Sequence, residues 1–240
     1  MLYFGTGRYL GDTDRIVGDE PPVQSFYGVW DHDVHTSVNM NRKTQLVALS
    51  DLQQQTIVYE SSSATTRSGS AAHFAVRVMS DSTFEYGTNG GSRKQGWYLN
   101  LVYPTGTTGD GERVTSAATL RGGKIIFATS VPSGDACAYG GNSWLMEVDA
   151  MSGGRLEGSV FDVNNDGVIN DDDFAEWGDD GENQGSVGGK GFEELIRNPG
   201  IISGGEVEYK YTSGSSGNIG VTLEDAGTAA TGRQSWRQLQ

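Results

Sequence analysis

The run from Asp162 to Asp173 places oxygen-bearing side chains at the spacing of a calcium-binding loop of the EF-hand kind. Ca²⁺ takes six to eight oxygen ligands in a flexible shell, and such a loop supplies them from positions 1, 3, 5, 7, 9 and 12. Asp162, Asn164 and Asp166 occupy positions 1, 3 and 5. Gly167 stands at position 6, where the chain turns sharply with positive φ. Val168 at position 7 offers its backbone carbonyl, Asn170 at position 9 ligates directly or through water, and Asp173 closes the loop at position 12. Aspartate is shorter than the glutamate usual there, so closure requires a tighter loop. The expected cofactor is Ca²⁺.

Other constellations carry less chemistry. Gly5, Gly7 and Gly11 resemble a dinucleotide glycine loop, but the third glycine falls one residue late and no helical pattern follows; a strand-end turn is the better reading. Asp31, His32, Asp33 and His35 could interest zinc, yet no third His or Cys lies near, and the segment reads as polar strand surface. Cys137 lacks a basic partner that would lower its pKa and reads as a small, partly buried packing residue. Trp97, Trp144 and Trp177 read as packing residues rather than a sugar-stacking platform. No Ser/His/Asp set and no paired carboxylate in a cleft can be assembled, so no catalytic residue is assigned.

The elements that must position the loop are strands. Apolar or β-branched runs occur at Leu2–Phe4, Phe26–Trp30, Gln45–Leu49, Thr56–Tyr59 and Phe74–Val78. Four more, Trp97–Leu101, Glu112–Leu120, Lys124–Val131 and Ser143–Val148, follow at short intervals and read together as one blade of a propeller. Arg121-Gly122-Gly123 signals a tight hairpin between the middle two. Asp171–Trp177 is expected to form one short helix after the loop, its acids favouring a helix N-terminus. Ile201–Ile202, Glu206–Tyr211 and Ile219–Leu223 complete the set, the last two joined by a Ser/Gly-rich turn. With 36 glycines and few helical turns, the chain is all-β in class.

Bulk properties agree with an exported calcium-loaded protein. The net charge of −14 offers no basic face for nucleic acid. Between Asp149 and Glu182 lie eleven acidic residues and one basic residue, Arg155, a repulsion that a divalent cation would relieve. A single cysteine rules out an internal disulfide framework. No apolar run is long enough to span a bilayer, and the N-terminus lacks the pattern of a signal peptide, so the chain is expected to be a piece of a longer protein.

Several segments together resemble the C-terminal β-propeller domain of the PilC/PilY proteins, the type IV pilus tip adhesins and biogenesis factors. They are Tyr3–Leu10, Phe26–Asp31, Gly96–Leu101, Gly111–Val114, Pro132–Cys137, Gly140–Glu147 and Gly232–Leu239, in the family's order. The resemblance implies a modified, quinoprotein-like propeller, of which this chain is half to two thirds, with an inserted calcium loop. On that basis residues 1–154 form blades, 155–185 the acidic calcium-loop insertion, and 186–240 the final strands and the natural C-terminus. The family's ligand pattern carries over onto Asp162, Asn164, Asp166 and Val168. Position 9 is often aspartate there, whereas this chain has neutral Asn170, a charge that Asp173 could restore.

The implied function is regulation of pilus extension against retraction and attachment to host cells or surfaces. The implied partners are minor pilins of the tip complex and a surface receptor, outside the cell, with no nucleic acid and no membrane insertion. Two alternatives stand beside it. One is a quinoprotein-like enzyme, which usually shows vicinal cysteines that this chain lacks. The other is calcium used only as a structural staple.

Overall fold

The computed structural model describes residues 1–31, 47–88, 92–135, 137 and 139–227. Eighteen strands are formed among them, with four single 3-10 turns and no α-helix. The first nine are β1 (Leu2–Gly5), β2 (Gln24–Val29), β3 (Gln53–Gln55), β4 (Ile57–Ser61), β5 (Thr65–Thr66), β6 (Val76–Met79), β7 (Glu85–Tyr86), β8 (Arg93–Lys94) and β9 (Gly96–Leu101). Then come β10 (Thr119–Arg121), β11 (Lys124–Pro132), β12 (Gly141–Asp149), β13 (Ala175–Trp177), β14 (Asn183–Gly185) and β15 (Gly189–Phe192). The last three are β16 (Gly200–Ser203), β17 (Val207–Ser213) and β18 (Ile219–Asp225).

A six-stranded sheet in the order β10-β11-β12-β15-β6-β4 forms the middle layer. Its two long strands are nearly continuous apolar runs because both faces are covered, so period-2 alternation sends neighbours into different cores. Ile125, Phe127, Trp144, Met146 and Val148 enter one core, where they meet Phe26, Trp97, Leu99 and Leu101 of the four-stranded sheet β1-β2-β9-β3. Phe26 and Phe127 stack with ring centroids 3.9 Å apart. Ile126, Ala128 and Leu145 enter the second core with Val76, Val78, Val160, Phe161, Val163 and Ala175. Each fully buried large side chain in these layers stabilises the fold by roughly 1.5–3 kcal/mol.

The three-stranded sheet β16-β17-β18 covers part of the second face with its polar side inward. Glu208, Lys210 and Thr212 of β17 are buried, while Tyr209 and Tyr211 are 40% and 39% exposed. On β18, Thr222 and Glu224 are buried while Ile219 and Val221 are 72% and 53% exposed. The far side of this sheet is therefore an apolar surface, to which Ile202 adds. At the opposite end of the stack, Leu2 and Phe4 of β1 are also exposed.

The all-β class holds, and the Gly122–Gly123 hairpin forms as expected, closing the Arg121↔Lys124 pair with φ of +55° and +79°. Both values suit the two-residue turn that matches strand twist. Four expectations are corrected. The segment Glu112–Leu120 is not one strand; only Thr119–Arg121 joins the sheet, and Arg113 makes an isolated bridge to Ser130. The four runs from Trp97 to Val148 do not make one blade. Instead β9 pairs with β2 antiparallel and β3 parallel, because its apolar side chains complete the core opposite β11 and β12. The helix over Asp171–Trp177 is one 3-10 turn, Asp171–Asp173, after which Ala175–Trp177 pairs as β13 with β14 and β5. The run Gln45–Leu49 lies partly outside the described residues, and Leu49 opens a 3-10 turn rather than ending a strand.

Candidate metal centre

The acidic loop hangs from the second core. Val160 and Phe161 are buried just before it, Val163 at its second position, and Ala175 just after it. Phe161 bridges Glu224, and the Asp225 N–H donates to the Val160 carbonyl at 3.0 Å, tying the entry of the loop to β18. Residues 65–73 hold the other flank. His73 N–H donates to the Val163 carbonyl at 3.0 Å and Arg67 N–H to the Phe174 carbonyl at 2.8 Å. Arg67 Nη1 also lies 3.6 Å from Asp171 Oδ2.

Within the loop the carboxylates gather backbone N–H groups. Asp162 accepts Asp166 N–H on Oδ1 at 3.1 Å and Gly167 N–H on Oδ2 at 3.0 Å. Asn164 Oδ1 accepts Asp166 N–H at 3.0 Å, and Asp166 Oδ1 accepts Val168 N–H at 2.8 Å. Asn164 Nδ2 donates to Asp166 Oδ2 at 3.1 Å. The turn passes through Gly167 at φ +84°, with no atom within 4 Å of where a Cβ would sit. Glycine is therefore needed there for its backbone angle, not for space.

Asp173 closes the loop from inside. It is fully buried. Its Oδ1 accepts Val163 N–H at 2.7 Å and Asn164 N–H at 3.2 Å, and its Oδ2 accepts Asn170 N–H at 3.0 Å. Asn170 in turn caps the 3-10 turn by accepting Asp172 N–H at 2.6 Å. Burial raises the Asp173 pKa above the ordinary carboxylate value, the three N–H bonds pull it down, and the charge of Asp162 adds to the rise. Asp162, Asn164, Asp166, Val168, Asn170 and Asp173 are thus brought into one loop.

The donor chemistry suits a hard cation. An ionised carboxylate has about four acceptor sites, so Asp162, Asp166 and Asp173 each keep at least one beyond the bonds described. Among the described residues, no three His, Cys, Asp or Glu side chains gather closely enough to hold a metal by themselves. A cation here would need the amide oxygens of Asn164 and Asn170 and the Val168 carbonyl as well, an all-oxygen set that fits calcium and not zinc.

The remaining sequence candidates fall out differently. His32, Asp33 and His35 lie outside the described residues. Gly5 ends β1, but no tight turn follows it: Thr6 N–H still donates to the Ser25 carbonyl at 2.9 Å, and the chain first turns at the 3-10 segment Asp12–Arg15. Cys137 is exposed rather than partly buried, because it sits in a surface turn where its N–H donates to Asp135 Oδ1 at 2.9 Å. Trp97 is fully buried, its indole N–H donating to the Ala150 carbonyl at 3.1 Å, and Trp177 stacks on Tyr59 with centroids 5.2 Å apart. Trp144 is 8% exposed with Arg77 over its ring at 4.0 Å.

Two charged networks have no signature in the sequence. Arg77 makes a two-pronged pair with Glu112 at 2.7 and 2.8 Å and a third bond to Glu60 at 2.6 Å. Lys210 bridges Glu147 and Glu224, all three fully buried, and Lys124 Nζ lies 3.1 Å from the second oxygen of Glu147. Alternation in Ser143–Val148 could have flagged Glu147 as inward-facing, but nothing local names its partners.

No family model matches the chain. Over its whole length it is 28% identical to the type IV pilus biogenesis factor PilY1 of Pseudomonas aeruginosa, spanning 19% of that protein. A PilY1 homolog of Xylella fastidiosa is also 28% identical over 99% of the chain, which spans 16% of it. The chain thus spans less than a fifth of the length of these curated relatives. The crystal structure of the P. aeruginosa PilY1 C-terminal domain shares the fold with a TM-score of 0.70 at 23% identity, covering 94% of this chain and 42% of that one.

Proposed function

The chain belongs to the PilC/PilY family of type IV pilus biogenesis factors, and from that premise we propose that it is the calcium-binding C-terminal module of a pilus tip adhesin. Its role is binding and regulation rather than catalysis. The stacked sheets act as blades of a modified propeller, whose exposed end faces at β1 and at β17–β18 suit further blades of the longer protein. Residues 155–185 are its calcium-bearing insertion. Asp162, Asn164, Asp166, Val168, Asn170 and Asp173 would hold the ion. Bound Ca²⁺ supplies positive charge that offsets the crowded carboxylates of the insertion.

The observation that carries this reading is the Asp162 carboxylate, which gathers the N–H groups of Asp166 and Gly167 and so curves the loop around the position-1 ligand. At the tip, outside the cell, loop occupancy would bias extension against retraction through contacts with minor pilins, and the module would contribute to attachment to a host cell or surface.

Isothermal calorimetry of chelator-stripped protein with Ca²⁺, and Mg²⁺ as control, tests the reading. One selective site is expected, with a dissociation constant of about 10⁻⁴–10⁻³ M if it answers to ambient calcium. Absence of heat and of any melting shift would sink it.

A second reading, a permanent staple, is favoured by the bonds that tie the loop to residues 65–73 and to β18. A much tighter constant would favour that reading. So would normal twitching in a strain whose full-length protein carries Asp166→Ala.

A further inference from the structure

A cavity of about 560 Å³ opens at one end of the six-stranded sheet, where β11 ends, β12 begins and β15 ends. Val131, Phe74 and Phe192 give it apolar walls. Glu60, Asp110 and Glu193 stand around it; among the described residues no Lys or Arg lines it, and His73 is the one lining group that could gain positive charge. None of these residues belongs to the loop 162–173.

The charge beside this cavity is unbalanced. Arg77, whose side chain is 2% exposed, serves both Glu60 and Glu112. Asp110 stands next to them, accepting the Glu112 N–H at 3.2 Å. One guanidinium thus answers three carboxylates. The neighbouring cation Lys190 is not a lining residue; its Nζ lies over the rings of two of the apolar walls, 4.4 Å from Phe74 and 5.6 Å from Phe192, and donates to Thr222 Oγ1 at 3.1 Å. Thr129, opposite Trp144 across the strands, is buried, and its hydroxyl has no hydrogen-bond partner among the described residues.

Three ligand classes fail on this geometry. An anion would meet carboxylates and no cation. A metal ion needs donors converging on a point, and these carboxylates do not form such a cluster. A sugar ring needs an open aromatic face, whereas Trp144 is 8% exposed and carries Arg77. Separated carboxylates around apolar walls suit a cation on a carbon stem, whose charge stays near the rim while its methylenes pack below. We infer that this cavity binds an alkylammonium or guanidinium group, held by Asp110, Glu60 and Glu193 with its stem against Val131, Phe74 and Phe192.

Two probes test this by calorimetry on the whole chain: agmatine, and a capped tripeptide with a central arginine. Glucose and sulfate serve as controls. The comparison is the double variant Asp110→Asn/Glu193→Gln, at two exposed rim positions, with an unchanged melting temperature as the check on folding. One-to-one binding that weakens about tenfold in the variant and fades with added salt is expected. Binding of the peptide alone identifies a side chain presented by a protein, binding of agmatine alone a free amine, and binding of both the shared class. The inference is overturned if neither binds, if the variant binds equally, or if glucose competes. It is also overturned if saturating Ca²⁺ abolishes the heat, because the probe would then be reading the acidic loop.

Discussion

Asp173 reaches back across its loop to accept the N–H of Val163, ten residues earlier, at 2.7 Å. Together with its bonds to Asn164 and Asn170, this makes one buried side chain the clasp of the candidate calcium site. Asp173→Ala leaves three backbone donors without their acceptor. Metal-free protein should lose about 2–4 kcal/mol, since each buried unsatisfied donor costs about 1–3 kcal/mol and loop relaxation rehydrates some of them. Asp166→Ala, at an exposed position, should change metal-free stability by less than about 0.5 kcal/mol while abolishing the calcium heat. Urea unfolding with chelator present, beside calorimetry, checks both. Equal losses in the two variants would mean that Asp173 is an ordinary loop acid.

At the β10–β11 hairpin, Gly122 and Gly123 both adopt positive φ. A Cβ on Gly123 would meet nothing within 4 Å, so Gly123→Ala isolates the backbone cost. A loss of about 1–2 kcal/mol is expected from left-handed backbone alone. Denaturant titration measures it, and a neutral result would show that the turn has another accessible form.

Both the turn at Gly167 and this hairpin were legible in the sequence because each depends on residues within a dozen positions. Strand existence was mostly legible too, through β-branched and aromatic runs. Partner choice was not. Nothing local in Trp97–Leu101 says that it pairs with β2 and β3 instead of the strand that follows it, since that choice is made by which core its side chains complete. The short strand Gly189–Phe192 has no apolar alternation and joins the sheet because glycines let Arg77 and Met146 approach closely. In β17, alternation shows two faces without saying which is buried. The tyrosines face out because Lys210 has Glu147 and Glu224 as partners within.

Arg77 is the side chain on which the cavity end of the central sheet depends. It is paired with buried Glu112 and stacked on Trp144. Arg77→Met keeps most of the volume but strands the Glu112 carboxylate, and a loss of about 3–5 kcal/mol is expected. The double variant Arg77→Met/Glu112→Leu should recover part of it, as removal of a whole buried pair is often close to neutral while Glu60, 21% exposed, still loses its bond to Arg77. A double-mutant cycle by urea unfolding gives the coupling, and a single variant as stable as the parent would sink the assignment.

The pH dependence of stability should carry the mark of the buried Lys210 network. Burial pushes the Glu147 pKa up, but Lys210, a hydrogen bond with Glu224, and Lys124 outweigh it and hold the group down at about 2. Its contribution is therefore complete above the ordinary value of 4.5 and is lost as pH falls toward 2. Glu224 moves the other way, raised by burial and by the charge and hydrogen bond of Glu147, against the pull of Lys210. The folded state keeps that proton, so the contribution of Glu224 is present below 4.5 and lost as pH rises toward its folded-state value. Lys190 also faces Glu224, and its own pKa is lowered by burial. Glu224→Gln keeps the neutral, hydrogen-bonded form at every pH. Melting temperatures measured from about pH 5 to 8 should fall with rising pH in the parent and fall less in this variant, while Glu147→Gln should lose stability throughout that range. Parallel curves for the parent and Glu224→Gln would place an ionised carboxylate at Glu224 and overturn the account of a protonated Glu224.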